Sequence, residues 1–217
     1  MNTQNNRMEL LGSAPIPKAL LSMGLPTMAG MLINALYNLA DTYFVGGLGT
    51  NQMAAVTVAY PLGQIVVGLG LLFGNGAAAY LSRLLGQGDR KTANKAASTA
   101  LYSSIGIGAA AVLISILFLK PILQQFGALP NIMPYALSYS SIYVTFSIFN
   151  VFNVTMNNIV SSEGAAKTAM CVLMSGAILN VLLDPLLIYT FGLGVAGAAI
   201  ATGISQMVSS VIYIFYI

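Results

Sequence analysis

The sequence predicts an all-α integral membrane protein built from six membrane-spanning helices, and three observations lead there. Hydrophobic residues make up 57% of the 217-residue chain, and its mean hydropathy is +0.83. Charged residues are only 6%, eight Lys/Arg against five Asp/Glu, too few to cover a soluble domain of this size. The apolar residues also fall into long runs, and a helix that crosses a bilayer needs roughly 20 of them in succession.

The runs can be justified in order. The first, 18–45, contains Pro26, which lacks a backbone donor and predicts a bend, and it closes at "GGLGTNQ" (46–52). The second, 52–82, contains Pro61 and the small-residue stretch "GLGLLFGNGAAAY" (68–80), and it ends at "RLLGQGDRK" (83–91). The third, 93–119, carries "GIGAAA" (106–111) and gives way to "KPILQQFGALPN" (120–131). The fourth, 132–159, stops before "SSEGAAK" (161–167), and the fifth, 168–191, before "FGLG" (191–194). The sixth, 195–217, lies partly in "GLGVAGAAIATG" (192–203), whose Gly and Ala let membrane helices approach closely. No strand precedes that stretch, so it does not read as a nucleotide-binding loop. Six such helices use nearly the whole chain and leave no room for a soluble domain.

Basic residues predict the orientation. Arg7, Lys18, Arg83, Arg90, Lys91, Lys95 and Lys167 fall on one side of the predicted helices, and Lys120 alone on the other. Both termini are therefore expected in the cytoplasm, with the protein multi-pass in the cytoplasmic (inner) membrane. The net charge of +3 is this bias and gives no reason to expect a nucleic-acid partner. The polar start "MNTQNNRMELLGSAP" has no short apolar core, so no cleaved signal peptide is expected. One cysteine, Cys171, and no His exclude an internal disulfide, Cys-cluster metal sites and His-based catalysis. An enzyme has little left to work with.

Two carboxylates lie well inside apolar runs, Asp41 in the first and Asp184 in the fifth. Such a group costs several kcal/mol at membrane depth, so it faces protein or water and marks an ion or proton path. The plainer alternative is a carboxylate near a helix end, satisfied by a neighbouring hydroxyl. Depth makes the pair informative. At 1.5 Å per residue Asp41 lies roughly 8 Å, and Asp184 roughly 12 Å, from the outer ends of their helices. Thr202 in the sixth run and Tyr139 in the fourth fall in the same layer. Tyr37, Asn38 and Asn34 share the helical stripe of Asp41, and Asn180 sits one turn before Asp184. Pro185 cannot donate to the Val181 carbonyl, which leaves an oxygen free beside the carboxylate, amide and hydroxyl. That set suits a hard cation such as Na⁺, or a proton on the carboxylate, and it equally describes a kink relieved by Ser/Thr or water.

Three segments, "YNLADTYFVGGLGTNQMAAVTVAYPL", "GAAAYLSRLLGQGDRKTANKAASTAL" and "EGAAKTAMCVLMSGAILNVLLDPLLIYTFGLGVAGAAIATGISQ", resemble the multidrug and toxic compound extrusion (MATE) family. The most specific parts are Asn180-x-x-x-Asp184-Pro185 with the Gly-Val-x-Gly-Ala-Ala that follows, and the turn "SRLLGQGD". The resemblance implies a cation-coupled antiporter, driven by H⁺ or Na⁺, that expels organic cations or drugs by alternating access between two six-helix lobes. It implies a cation site, possible for Na⁺, at Asp41, Asn180, Asp184 and Thr202. It implies that Tyr37 and Tyr139 line the cavity, where Asn34 and Asn38 are expected beside them on the Asp41 stripe, and that Pro26 is a hinge in the first helix. No other cofactor is implied.

Family members are about twice as long, whereas this sequence stops after six helices and is still apolar at "SSVIYIFYI". The expectation is one N-terminal lobe spanning 1–217, whose partner lobe is covalent or a second chain. The alternative is a half-length lobe that homodimerises or serves as a non-transporting subunit. A lipid-linked saccharide flippase would need an Arg-rich cavity, and no run has Arg in its interior. A channel would need a ring of like charges or a filter loop, and neither is visible.

Overall fold

The computed structural model describes residues 15–216. Arg7, Glu9 and residue 217 of the sixth run lie outside the described residues, as does the side chain of Lys18. Helix α1 (Ile16–Gly46) begins with proline in its first turn, where a missing N–H costs nothing. It runs without a break through Pro26. Helix α2 (Thr50–Gly86) starts after Gly49, whose φ of 127° a side chain would strain. Helix α3 (Arg90–Leu117) is capped by the Asp89 carboxylate, which accepts from the Thr92 N–H at 3.0 Å.

The short α4 (Leu119–Gln125) occupies a stretch the sequence reads as a turn, and its Leu119 and Leu123 are buried against Leu62, Ala136 and Val144. Helix α5 (Met133–Ser162) follows, and then α6 (Ala166–Pro185), which passes into a π turn (Leu186–Thr190). Helix α7 (Val195–Tyr216) closes the described chain. The runs read from sequence agree with these helices to within a few residues. The helices reach further because Arg90, Lys91, Ser161 and Ser162 continue them past the apolar segments.

Among the described residues, five helical segments are long and apolar enough to cross a membrane: Leu20–Gly46, Thr50–Gly86, Arg90–Leu117, Ala166–Thr190 and Val195–Tyr216. The difference from the six expected is α5, which is 30 residues long but carries Ser, Thr and Asn along its length. Its position explains this composition. Helix α5 packs against α2, α3 and α7, so it is the centre of the bundle and can pair its polar groups there. Helix α1 is peripheral and packs mainly on α6, which in turn packs on α7.

The outer surface follows the same logic in reverse. On α1, Leu25, Leu32 and Leu39 are 60 to 66% exposed, and Leu72, Leu113 and Leu182 on other helices are similar. An apolar surface of this extent is a liability in water and a solvent match in lipid. The turns at 86–90 and 162–166 share one end of the bundle, where Leu81, Leu84, Ile159, Ala165 and Ala169 form one cluster. That end carries the exposed Arg83, Arg90, Lys91, Lys95 and Lys167.

Candidate cation site

The site grows out of one buried stripe. On α6 the buried residues step by three or four from Ala166 through Ala169, Val172 and Gly176 to Asn180 and Asp184. The last two positions of an otherwise apolar stripe are therefore polar. Asp184 is 0% and Asn180 1% exposed, which makes a hydrogen-bond partner obligatory for each. They find each other and α7. With the Asn180 amide assigned the orientation that satisfies both its nitrogen and its oxygen, Nδ2 donates to Asp184 Oδ2 at 3.1 Å while Oδ1 accepts from the Thr202 N–H at 3.2 Å. Thr202 is itself buried, and Gly203 beside it gives room for the Phe146 ring of α5.

Helix α1 brings the second carboxylate. Asp41 is half-buried, and its Oδ1 is shut from solvent with no hydrogen-bond partner. It lies within electrostatic reach of Asp184 and of the Tyr37, Tyr139 and Tyr143 hydroxyls. Tyr37, one turn before Asp41, points inward with its hydroxyl against the Thr202 side chain. Tyr139 of α5 is buried and stacks on Tyr143, with ring centroids 5.7 Å apart.

The structure thus gathers Tyr37, Asp41, Tyr139, Asn180, Asp184 and Thr202 from four helices. Asn34 and Asn38 stand at the exposed edge of the same sector of α1, where the Asn38 Nδ2 donates to Asn34 Oδ1 at 2.9 Å and to its carbonyl at 2.7 Å. Both side chains are exposed, and the Asn38 amide is held by these two bonds to Asn34. Pro26 is buried in α1, fifteen residues before Asp41 and so roughly 22 Å along the helix.

Two neighbours escaped the sequence reading. Tyr143 follows Tyr139 by one helical turn, a spacing that could have exposed it. Tyr189 has no such signal, because its direction depends on the π turn after Pro185. π turns are rare and recur at functional sites.

Chemically, two carboxylates, an amide and hydroxyls offer hard oxygen ligands in a dry setting. One oxygen of Asp41 waits without a partner, so this carboxylate is the least satisfied member. A cation or a proton could occupy it without displacing the Asn180–Asp184 pair.

Comparison with known proteins matches this arrangement to one family. Residues 26–186 match the MatE family model. Multidrug export protein MepA of Staphylococcus aureus (strain NCTC 8325 / PS 47) is 31% identical over 204 residues, covering 94% of this chain and 45% of that protein. A solved MOP superfamily transporter from Pyrococcus furiosus, described as having a binding pocket of reverse polarity that suggests a different function, is 33% identical with a TM-score of 0.89. The match covers 96% of this chain and 46% of the other. A MATE structure in the straight conformation is 32% identical with a TM-score of 0.91, over 96% of this chain and 46% of the other. The chain therefore spans about half the length of the relatives it matches. It is a multi-pass membrane protein, and it belongs to the MatE family.

Proposed function

We propose that the chain is one lobe of a cation-coupled antiporter that exports organic cations or drugs. All six long helices, α5 included, cross the cytoplasmic membrane with both termini on the cytoplasmic side, and a second six-helix lobe completes the transporter. The partnerless buried oxygen of Asp41, facing the satisfied Asn180–Asp184–Thr202 group, is the observation that supports this most. A carboxylate left unsatisfied at membrane depth is poised to take up a proton or Na⁺. Asp41 then carries the exchanged charge, and Asn180, Asp184 and Thr202 shape its site. The two carboxylates are close enough to titrate as a pair.

Coupling needs an element with two arrangements, and α1 supplies it. It is peripheral, packs mainly on α6, and contains Pro26, which leaves the Ser22 carbonyl without a helical donor. Occupancy of Asp41 biases α1 between a straight and a bent form about this point. The existence of a relative solved in a form named straight supports this two-form view. The multidrug name of MepA supports an organic, drug-like cargo.

The test is Asp41→Asn in the complete transporter, reconstituted in vesicles with an imposed H⁺ or Na⁺ gradient. Gradient-driven efflux should be lost while the protein reaches the membrane at the normal level. Normal efflux by this variant would remove Asp41 from the coupling role.

A further inference from the structure

The end of α1 beyond Asp41 is fastened in an unusual way. A helix leaves its last carbonyls without backbone donors. The Gly47 N–H reaches the Tyr43 carbonyl at 3.3 Å and the Leu48 N–H reaches that of Val45 at 3.0 Å. The Phe44 carbonyl between them accepts instead from the Tyr189 hydroxyl, at 2.6 Å. The two rings meet edge to face with centroids 6.5 Å apart. Gly47 is where a Cβ would run into the Tyr189 hydroxyl, so a side chain there would push the phenol away.

The π turn explains why Tyr189 can reach. In an unbroken α-helix a residue five after Asp184 lies about 140° round the axis from it. Widening the coil to i→i+5 bonds, as Phe191 N–H to the Leu186 carbonyl at 2.9 Å, brings such residues back toward one face. Phe44 is three residues past Asp41, and Tyr189 five past Asp184. On the other side of Asp41, Tyr37 meets Thr202.

We propose that Tyr189 is a positioning residue for the cation site, a latch that holds the end of α1 on the π turn and thereby fixes the spacing of Asp41 and Asp184. The proposal rests on the cation-exchange function argued above. Helix α1 is then held by a phenol on either side of its carboxylate. Any swing of α1 away from α6 must first break the Tyr189–Phe44 bond, so the latch weights the two arrangements of α1 without touching the cation.

Two variants test this, Tyr189→Phe, which removes only the hydroxyl, and Gly47→Ala, which displaces it. With Cys171→Ser as background, spin labels at Leu39→Cys and Phe191→Cys, both exposed positions, report the distance between α1 and the end of the π turn. The parent should give one narrow distance distribution, and both variants a broader one. In the complete transporter the cation concentration for half-maximal efflux should rise about three- to tenfold, as expected for one lost hydrogen bond, with the KM for drug unchanged. A narrow distribution that persists in Tyr189→Phe overturns the latch, whatever Asp41→Asn does. Broadened distances with cation dependence unchanged overturn its link to the site. Asp41→Asn with normal efflux removes the coupling role and leaves the mechanical latch standing.

Discussion

Asn180 and Asp184 lie one turn apart on α6, both closed to solvent, and the amide of one donates to the carboxylate of the other at 3.1 Å. The bond satisfies an oxygen of Asp184 and aims the Asn180 oxygen at the Thr202 N–H, so α6 and α7 are joined at the level of the carboxylate.

Replacing Asn180 with Val keeps the volume roughly constant and leaves a buried carboxylate oxygen without its donor. That should lower stability by about 1–3 kcal/mol. It should also remove any stabilisation by Na⁺ or by acid, because ligand binding raises stability only through an intact site. The melting temperature of the purified protein, with and without Na⁺, checks both. An unchanged Na⁺ response would place the cation away from Asn180.

The helix after the site is packed so closely that one methyl group matters. A Cβ at Gly197, near the start of α7, would lie 2.7 Å from the backbone of Leu187 in the π turn, and backbone cannot yield as a side-chain tip can. Gly197→Ala should therefore cost about 1–3 kcal/mol as overpacking and push the π turn outward. Gly68, exposed in the middle of α2, has nothing within 4 Å of the same position. Gly68→Ala should instead stabilise by about 0.5–1 kcal/mol. Opposite shifts of melting temperature are the expected result, and a neutral Gly197→Ala would show that the turn is soft.

Particular residues show what was legible in the sequence. The long helices announce themselves because lipid demands unbroken apolar runs, and Asp184 and Asp41 stand out because such runs exclude charge. Spacing alone placed Asn180 beside Asp184. The short α4 was hidden, since Pro121 and the polar residues around it read as a turn, while two leucines tuck into the bundle and hold a helix there. The exposed setting of Asn34 and Asn38 was also out of reach, because a helical stripe gives a sector and not the neighbour that covers it. The contact between Tyr189 and Phe44 depends on a local change of helix type that no periodicity records.

A second polar seam joins α5 to α7 away from the carboxylates. The Asn153 Nδ2 donates to Gln206 Oε1 at 2.7 Å and to its carbonyl at 2.8 Å, and the Ser210 hydroxyl donates to Asn153 Oδ1 at 2.9 Å. The Asn157 Nδ2 donates to the Tyr213 hydroxyl at 3.1 Å. Interhelical bonds of this kind contribute about 0.6 kcal/mol each within a membrane, reaching roughly 1.7. Asn153→Leu breaks three at once and strands Gln206 Oε1, while the Ser210 hydroxyl keeps its 2.9 Å bond to the Gln206 carbonyl. It should lower resistance to denaturation by SDS by about 2 kcal/mol, the scale of a few such bonds. Ser210→Ala, which removes one donor, should lower it by less than half as much.

The turn before α3 should respond to pH in a defined direction. Asp89 is spoken for on both oxygens: Oδ2 accepts from the Thr92 hydroxyl at 2.6 Å and Oδ1 from the Thr92 N–H at 3.0 Å. The hydroxyl bond first, then the N–H bond, holds the carboxyl below its ordinary value of 3.8. A group whose folded value lies below its unfolded one lends stability that is complete above the unfolded value. The contribution is withdrawn as pH falls through the lower, folded value. Protonation leaves an acid that accepts poorly from the Thr92 N–H, so the first turn of α3 frays. Hydrogen exchange at the Thr92 amide, corrected for the intrinsic pH dependence of exchange, should therefore hold its protection down to about pH 4 and lose it below, where the carboxyl titrates. Asp89→Asn keeps an acceptor oxygen without a titrating proton, and its protection should stay flat through the same range. Equal loss of protection in the two proteins would mean that the cap is not what orders this turn.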